Sequence, residues 1–248
     1  MPHSVKLVAA VLVMLLAIAT ANAADVHVGL DDVCAPGRAA PAKIIIYSNG
    51  APHSEEPPTC IGNPPPRTLT EAATKAGFQV ERLCGTWRGD RDGAKGSYIY
   101  QRAEQFKAAV ADCVARGVPR SRIVLAGHSA GGWSALMAMS QEPGLAHSAI
   151  LFAPACCGRS DQPDRPTWRR IQAQQERQIT GGAELRALVF GYDYDEYNRT
   201  SELAFLPQHF GATVQLDGYS CRFWTHLTAF HDCRSGQTTA RIAEYLKE

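Results

Sequence analysis

This sequence predicts an α/β fold: a mostly parallel sheet of about six to seven strands with helices on both faces. Three observations carry that expectation. Short runs rich in Ile, Val and Leu alternate with longer stretches of helical spacing, as in strand–helix–strand units. Glycine and proline punctuate the junctions. No linker and no long internal repeat divides residues 24–248, so they read as one domain.

The elements follow in order. "KIIIYS" (43–48) is a short β-branched run and reads as a buried strand. It empties into the proline-rich stretch 49–68, which reads as a loop. "LTEAATKAG" (69–77) is helix-like and stops at a glycine, and "FQVERL" (78–83) is a second strand. After another glycine-rich loop, residues 97–117 carry helical spacing, ending at Gly117 with Pro119 beyond. "RIVLAG" (122–127) is a third strand and residues 130–141 start a helix at once. "SAILFAP" (148–154) is a fourth strand, before a long polar segment with a helical centre near 167–178. "LRALVFG" (185–191) is a fifth strand, "RTSELAFLPQHF" (199–210) a helix, and "ATVQLDG" (212–218) a sixth strand. An amphipathic helix over 237–248 closes the chain.

Residues 1–23 read as a leader outside the fold. A weakly basic start precedes thirteen apolar residues (7–19), and "ANA" (21–23) fits a small-x-small cleavage site. The run is short for a membrane span, which needs about 20 apolar residues. A cleaved signal peptide is expected, and with it a secreted or periplasmic protein. The alternative is an uncleaved N-terminal anchor. Lys6 is the leader's only charge, so the remaining 24 basic and 24 acidic side chains balance. That balance gives no electrostatic case for nucleic acid or for a membrane surface after cleavage. The eight cysteines (34, 60, 84, 113, 156, 157, 221 and 233) all follow the leader. An even number in an exported chain favours disulfides over metal or redox chemistry. Neighbouring Cys156 and Cys157 make a poor chelate.

The stretch "AGHSAGGW" (126–133) carries the chemistry. Gly127, Ser129 and Gly131 fit G-x-S-x-G, between a strand and a helix. A serine there is presented above the carboxyl end of the sheet, where ligands of open α/β sheets collect. The turn strains the serine backbone, and glycines on either side relieve the crowding. The following helix points its N-terminus at any oxyanion that develops.

With this motif in that context, the sequence resembles the α/β-hydrolase superfamily, as a small member similar to the dienelactone-hydrolase and esterase-like branch. "IIIYSNG", "GHSAGGW", "ALVFGYDYDEYN" and "HLTAFHD" carry the resemblance, which extends from Lys43 onward. It implies a chain order of serine, acid, histidine, with the serine activated by a base that a carboxylate orients. Asp195 is favoured as the acid over Asp193, with Glu196 third. His226 is favoured as the base over His231, which sits beside Asp232 and reads as a surface pair. His128 reads as support for the turn, His209 as structural, and His53 as a residue that could line the site. A Cys221–Cys233 disulfide would close a loop around His226. The oxyanion donors expected are the N–H of Ala130 and that of Ala51, with Gly50 as the alternative to Ala51.

No H-E-x-x-H and no P-loop motif occurs, so no metal and no cofactor is expected. The activity expected is a carboxylesterase-like serine hydrolase acting on a small-molecule ester or acyl substrate. A catalytically silent binding protein on the same fold is the alternative. The segment 158–184, with Trp168, falls where the family places lids, and it would be either a wall of the site or a solvated helix.

Overall fold

The computed structural model describes residue 34 and residues 40–50, 64–83, 96–182, 184–231 and 233–248. The leader, His53, Ala51, Cys60, Cys84 and Asp232 therefore lie outside the described residues.

Six strands form one sheet: β1 (Ile44–Ser48), β2 (Gln79–Arg82), β3 (Ile123–His128), β4 (Ser148–Phe152), β5 (Ala187–Tyr192) and β6 (Val214–Tyr219). Their order is β2-β1-β3-β4-β5-β6, and every neighbouring pair is parallel. Parallel strands need crossovers, and helices supply them: α1 (Arg67–Ala76), α2 (Ser97–Ala115), α3 (Ala130–Gln141), α4 (Arg165–Thr180) and α5 (Phe205–Phe210); a sixth helix, α6 (Ser235–Tyr245), follows the last strand.

The central strands are unbroken apolar runs because both faces of the sheet are covered. Side-chain alternation divides each run between two cores. Ile44 and Ile46 point into one with Phe106, Trp133 and Leu136. Ile45 and Tyr47 point into the other with Leu69, Ala72 and Ile242. Fully burying each of these large apolar side chains contributes about 1.5–3 kcal/mol. Helix α3 is buried from Ala130 to Ser140, so it runs through the protein instead of over its surface.

Most boundaries lie within a few residues of the sequence expectation, and two of the differences have a plain physical reason. The helix expected over 199–210 splits into a 3-10 turn, Thr200–Leu203, and α5. A single helix would hold Pro207 in its interior, where proline removes a hydrogen bond and clashes. Starting α5 at Phe205 puts that proline in the first turn. The sixth strand begins at Val214, because Gly211–Thr213 form a 3-10 turn.

Sheet order reverses between β1 and β3, and in open α/β sheets ligands bind outside the carboxyl ends of the strands at such a point. Residues 49–50 leave β1 at that point, and Ser129 leaves β3. Among the described residues, no helix is long and apolar enough to cross a membrane.

Candidate active site

Ser129 joins β3 to α3 with φ 54° and ψ −124°. A non-glycine residue held there stores about 1–3 kcal/mol of strain. Its surroundings enforce it. The Ser129 N–H donates to Phe152 O at 3.0 Å, and its carbonyl accepts from Ala155 N at 3.1 Å, so the turn is stitched to the end of β4. The flanking glycines are required by space. A Cβ on Gly127 would overlap the Gly131 backbone, and one on Gly131 would overlap Ser48 O. A Cβ on Gly50 would lie 3.1 Å from Ser129 Cβ and 3.6 Å from its Oγ, so the loop after β1 passes directly beside the serine. Ala130 is the first residue of α3, so its N–H has no acceptor within the helix.

Asp195 lies in the turn after β5 and is 2% exposed. Its Oδ1 accepts from the backbone N–H of Tyr197 at 2.7 Å and of Asn198 at 3.4 Å. Its Oδ2 lies 2.7 Å from Nδ1 of His226. A carboxylate only accepts, so Nδ1 carries the hydrogen and a neutral ring keeps its lone pair on Nε2. That Nε2 is buried and, among the described residues, has no hydrogen-bond partner. Asn198 Nδ2 donates to Pro154 O at 3.0 Å, which ties this turn to the end of β4.

Asp193, two residues earlier, is exposed and accepts from the Ser220 hydroxyl. That hydrogen bond and one with Thr200 hold its carboxyl below the usual range. Glu196 is half-buried. Burial pushes its carboxyl up, but hydrogen bonds from Thr225 and the backbone, with His226 nearby, bring it below its ordinary value. The structure thus hydrogen-bonds Asp195, and neither Asp193 nor Glu196, to the His226 ring.

His226 lies within a 3-10 turn, Thr225–Phe230, entered through two non-glycine residues of positive φ, Trp224 (70°) and Thr225 (31°). The Cys221 and Cys233 sulfurs are at bonding distance and close the loop around it. His128 holds the loop from below: its Nε2–H donates to His226 O at 2.8 Å, and the two rings lie 4.8 Å apart. Burial first, then the neighbouring His226, pushes His128 down to about 3, so it is neutral at any ordinary pH. His231 stacks on Trp224 at 3.8 Å, and exposed His209 sits edge-on to Phe210.

Three features were not anticipated from sequence. Tyr197 lies against the His226 ring, centroids 4.3 Å apart. The Cys156 and Cys157 sulfurs are at bonding distance in a buried position just after β4. Adjacency in the chain was the available signal for that pair. Third, α4 is docked rather than solvated. Buried Gln175 accepts from Trp133 Nε1 at 2.8 Å, and Trp168 covers Gly158 so closely that a Cβ there would collide with the indole.

The arrangement offers a strained serine, a histidine with one bare nitrogen, a buried carboxylate and a free helix N-terminus. Those groups suit proton transfer coupled to nucleophilic attack. Among the described residues, no three His, Cys, Asp or Glu side chains gather as metal ligands.

Solved structures share the fold at low identity. A sugar hydrolase from Lactococcus lactis matches at TM-score 0.56 with 14% identity, covering 85% of this chain and 90% of its own. Thermogutta terrifontis esterase 2 matches at TM-score 0.54 with 16% identity, covering 84% of each chain. Porphyromonas gingivalis dipeptidyl peptidase 4 matches at TM-score 0.61 with 15% identity, over 84% of this chain but 31% of its own. No curated protein matches in sequence. The model of the alpha/beta hydrolase family matches residues 45–243, from the first strand into the last helix. With the parallel sheet and the strand–serine–helix turn, that match shows that the chain belongs to the alpha/beta hydrolase family.

Proposed function

We propose that this chain is an exported serine hydrolase that cleaves a carboxylic ester or related acyl bond through Ser129, His226 and Asp195. The observation that carries the reading is the buried Asp195–His226 contact. It leaves Nε2 of His226 bare, on a loop that packs against the neighbour of an elbow serine.

The chemistry runs in two halves. Ser129 Oγ attacks the carbonyl carbon while its proton passes to His226 Nε2. Asp195 accepts from Nδ1 throughout and stabilises the imidazolium. The tetrahedral oxyanion is held by the Ala130 N–H and by a second N–H from the loop after β1, either Ala51 or Gly50. Such a donor is worth about 10²–10³ in rate. The intermediate collapses, the C–O bond to the alcohol breaks, and the alcohol leaves with the proton from Nε2. Water then attacks the acyl-enzyme, giving its proton to Nε2. The acid departs and Ser129 regains its hydrogen.

The leader at 1–23 and the paired cysteines support export to an oxidising compartment. Esterase 2 of Thermogutta terrifontis has been solved with propionate and butyrate bound and phosphonylated by sarin. Short acyl esters and organophosphonates are therefore the first probes. The test is a panel of p-nitrophenyl esters from acetate to laurate. Wild type should turn over at least the short members, and Ser129→Ala none. Folded wild-type protein that hydrolyses none and resists a fluorophosphonate would overturn the reading in favour of a silent binding protein.

A further inference from the structure

We propose that Arg102 is a positioning residue that sets the oxyanion loop, and that helix α2 aligns both walls of the site through Arg102 and Tyr98. The inference rests on the serine-hydrolase reading and extends it to residues outside the Ser–His–Asp set.

The geometry is specific. Arg102 is 3% exposed. Its Nη1 donates to the carbonyls of Asn49 and, at 3.3 Å, Gly50. These are the residues that leave β1 beside Ser129. In a trans peptide the C=O and N–H of one unit point in opposite directions. Holding the carbonyl of Asn49 therefore fixes the direction of the Gly50 N–H in the same peptide unit. That N–H is a candidate for the second oxyanion donor.

Tyr98 lies four residues earlier on the same helix, hence on the same face. Its hydroxyl donates to Cys156 O, on the loop after β4. Ala155, next to Cys156, donates to the Ser129 carbonyl. One helix face therefore grips a loop on each side of the serine.

A purely structural role explains the arginine poorly. Burying a guanidinium is costly, and apolar side chains would fill the same space at less cost. Among the described residues no carboxylate pairs with it, and its Nε has no partner. Burial draws its pKa down only to about 10, while Tyr98 and Tyr47 act the other way, so the side chain stays charged at working pH. What the charge secures is a strong grip on two backbone carbonyls.

The test uses the full mature chain with Arg102→Met, Arg102→Lys and Tyr98→Phe. Two readouts are followed: kinetics on p-nitrophenyl acetate and hydrogen–deuterium exchange by peptide. Arg102→Met should lower kcat by up to about 10²–10³-fold with KM within about threefold, as for loss of an oxyanion donor. Exchange should rise in the peptide ending at Gly50 and stay unchanged in the β3 peptide. Arg102→Lys, which keeps the charge, should recover part of kcat, and Tyr98→Phe should lose less than Arg102→Met. A folded Arg102→Met with wild-type kcat and unchanged exchange at 44–50 overturns the inference. If Arg102→Met does not fold, Arg102→Lys decides on the same readouts. Losses that follow melting temperature, with exchange rising everywhere, also overturn it. Wild type that resists a fluorophosphonate marks failure of the hydrolase reading, while the exchange measurement still decides whether Arg102 grips the loop.

Discussion

The serine turn and the histidine loop hold their residues in place by opposite means. At the serine, order comes from lack of space: Gly127 and Gly131 stand where no Cβ fits, and a Cβ on Gly50 would crowd Ser129. At the histidine, order comes from added bonds. The loop is long and strained at Trp224 and Thr225. It displays Phe223 at 80% exposure, and bonding-distance cysteines, the His128 hydrogen bond and Asp195 hold it. A turn fixed by sterics fails by the addition of a methyl group. A loop fixed by links fails by their removal.

The largest effects test the chemistry the two regions share. Ser129→Ala should cost about 10⁵–10⁶ in kcat without unfolding the protein. Asp195→Asn should cost about 10⁴, by leaving the histidine in the wrong tautomer. Asp193→Asn, two residues away on the exposed side, should stay within about threefold of wild type, since surface changes of this kind are nearly neutral. Steady-state kinetics on one ester decides among the three, and equal losses at both aspartates would contradict the assignment.

Next come the two kinds of restraint. Gly127→Ala should destabilise by about 3 kcal/mol or more, because backbone lies where the methyl would go. Breaking the Cys221–Cys233 link with two serines should cost about 2–3 kcal/mol, the loop-closure entropy of a short ring. Thermal melts and kinetics together separate the cases. The glycine variant should lose folded protein. The serine pair should stay folded below its lowered melting point yet lose kcat, because the base wanders. A double serine variant with full kcat would mean that His128 and Asp195 suffice to hold the loop.

The last effect is a pH dependence. His128 is neutral when folded down to about pH 3, but titrates at its ordinary 6.5 when unfolded. Between those values the unfolded state binds the extra proton. Its contribution to stability is therefore complete above about 6.5 and is lost as pH falls toward 3. Melting temperature should fall between pH 6.5 and 4, and His128→Gln should flatten that slope. An unchanged slope would contradict the burial of a neutral ring.

The same contrast explains what the sequence could and could not disclose. The serine turn was legible because five consecutive residues encode it, with a strand before and a helix after. The strands were legible because burial on both faces leaves runs such as "KIIIYS". Asp195 and His226 were reachable only through chain order, since nothing local distinguishes Asp195 from Asp193. Their difference is that Asp195 meets the N–H groups of Tyr197 and Asn198 inside a buried turn. Arg102 and Tyr98 gave no local signal. They lie on an ordinary amphipathic helix, and their acceptors are 53 and 58 residues away. Contacts at that range depend on the packing of α2 against the finished sheet.

The most direct measurement is intact mass and peptide mapping after treatment with a fluorophosphonate. One adduct per chain, located on Ser129 and absent from Ser129→Ala, is the expected result. Folded protein that remains unmodified, or that carries its adduct on another residue, would contradict the assignment of Ser129 as nucleophile.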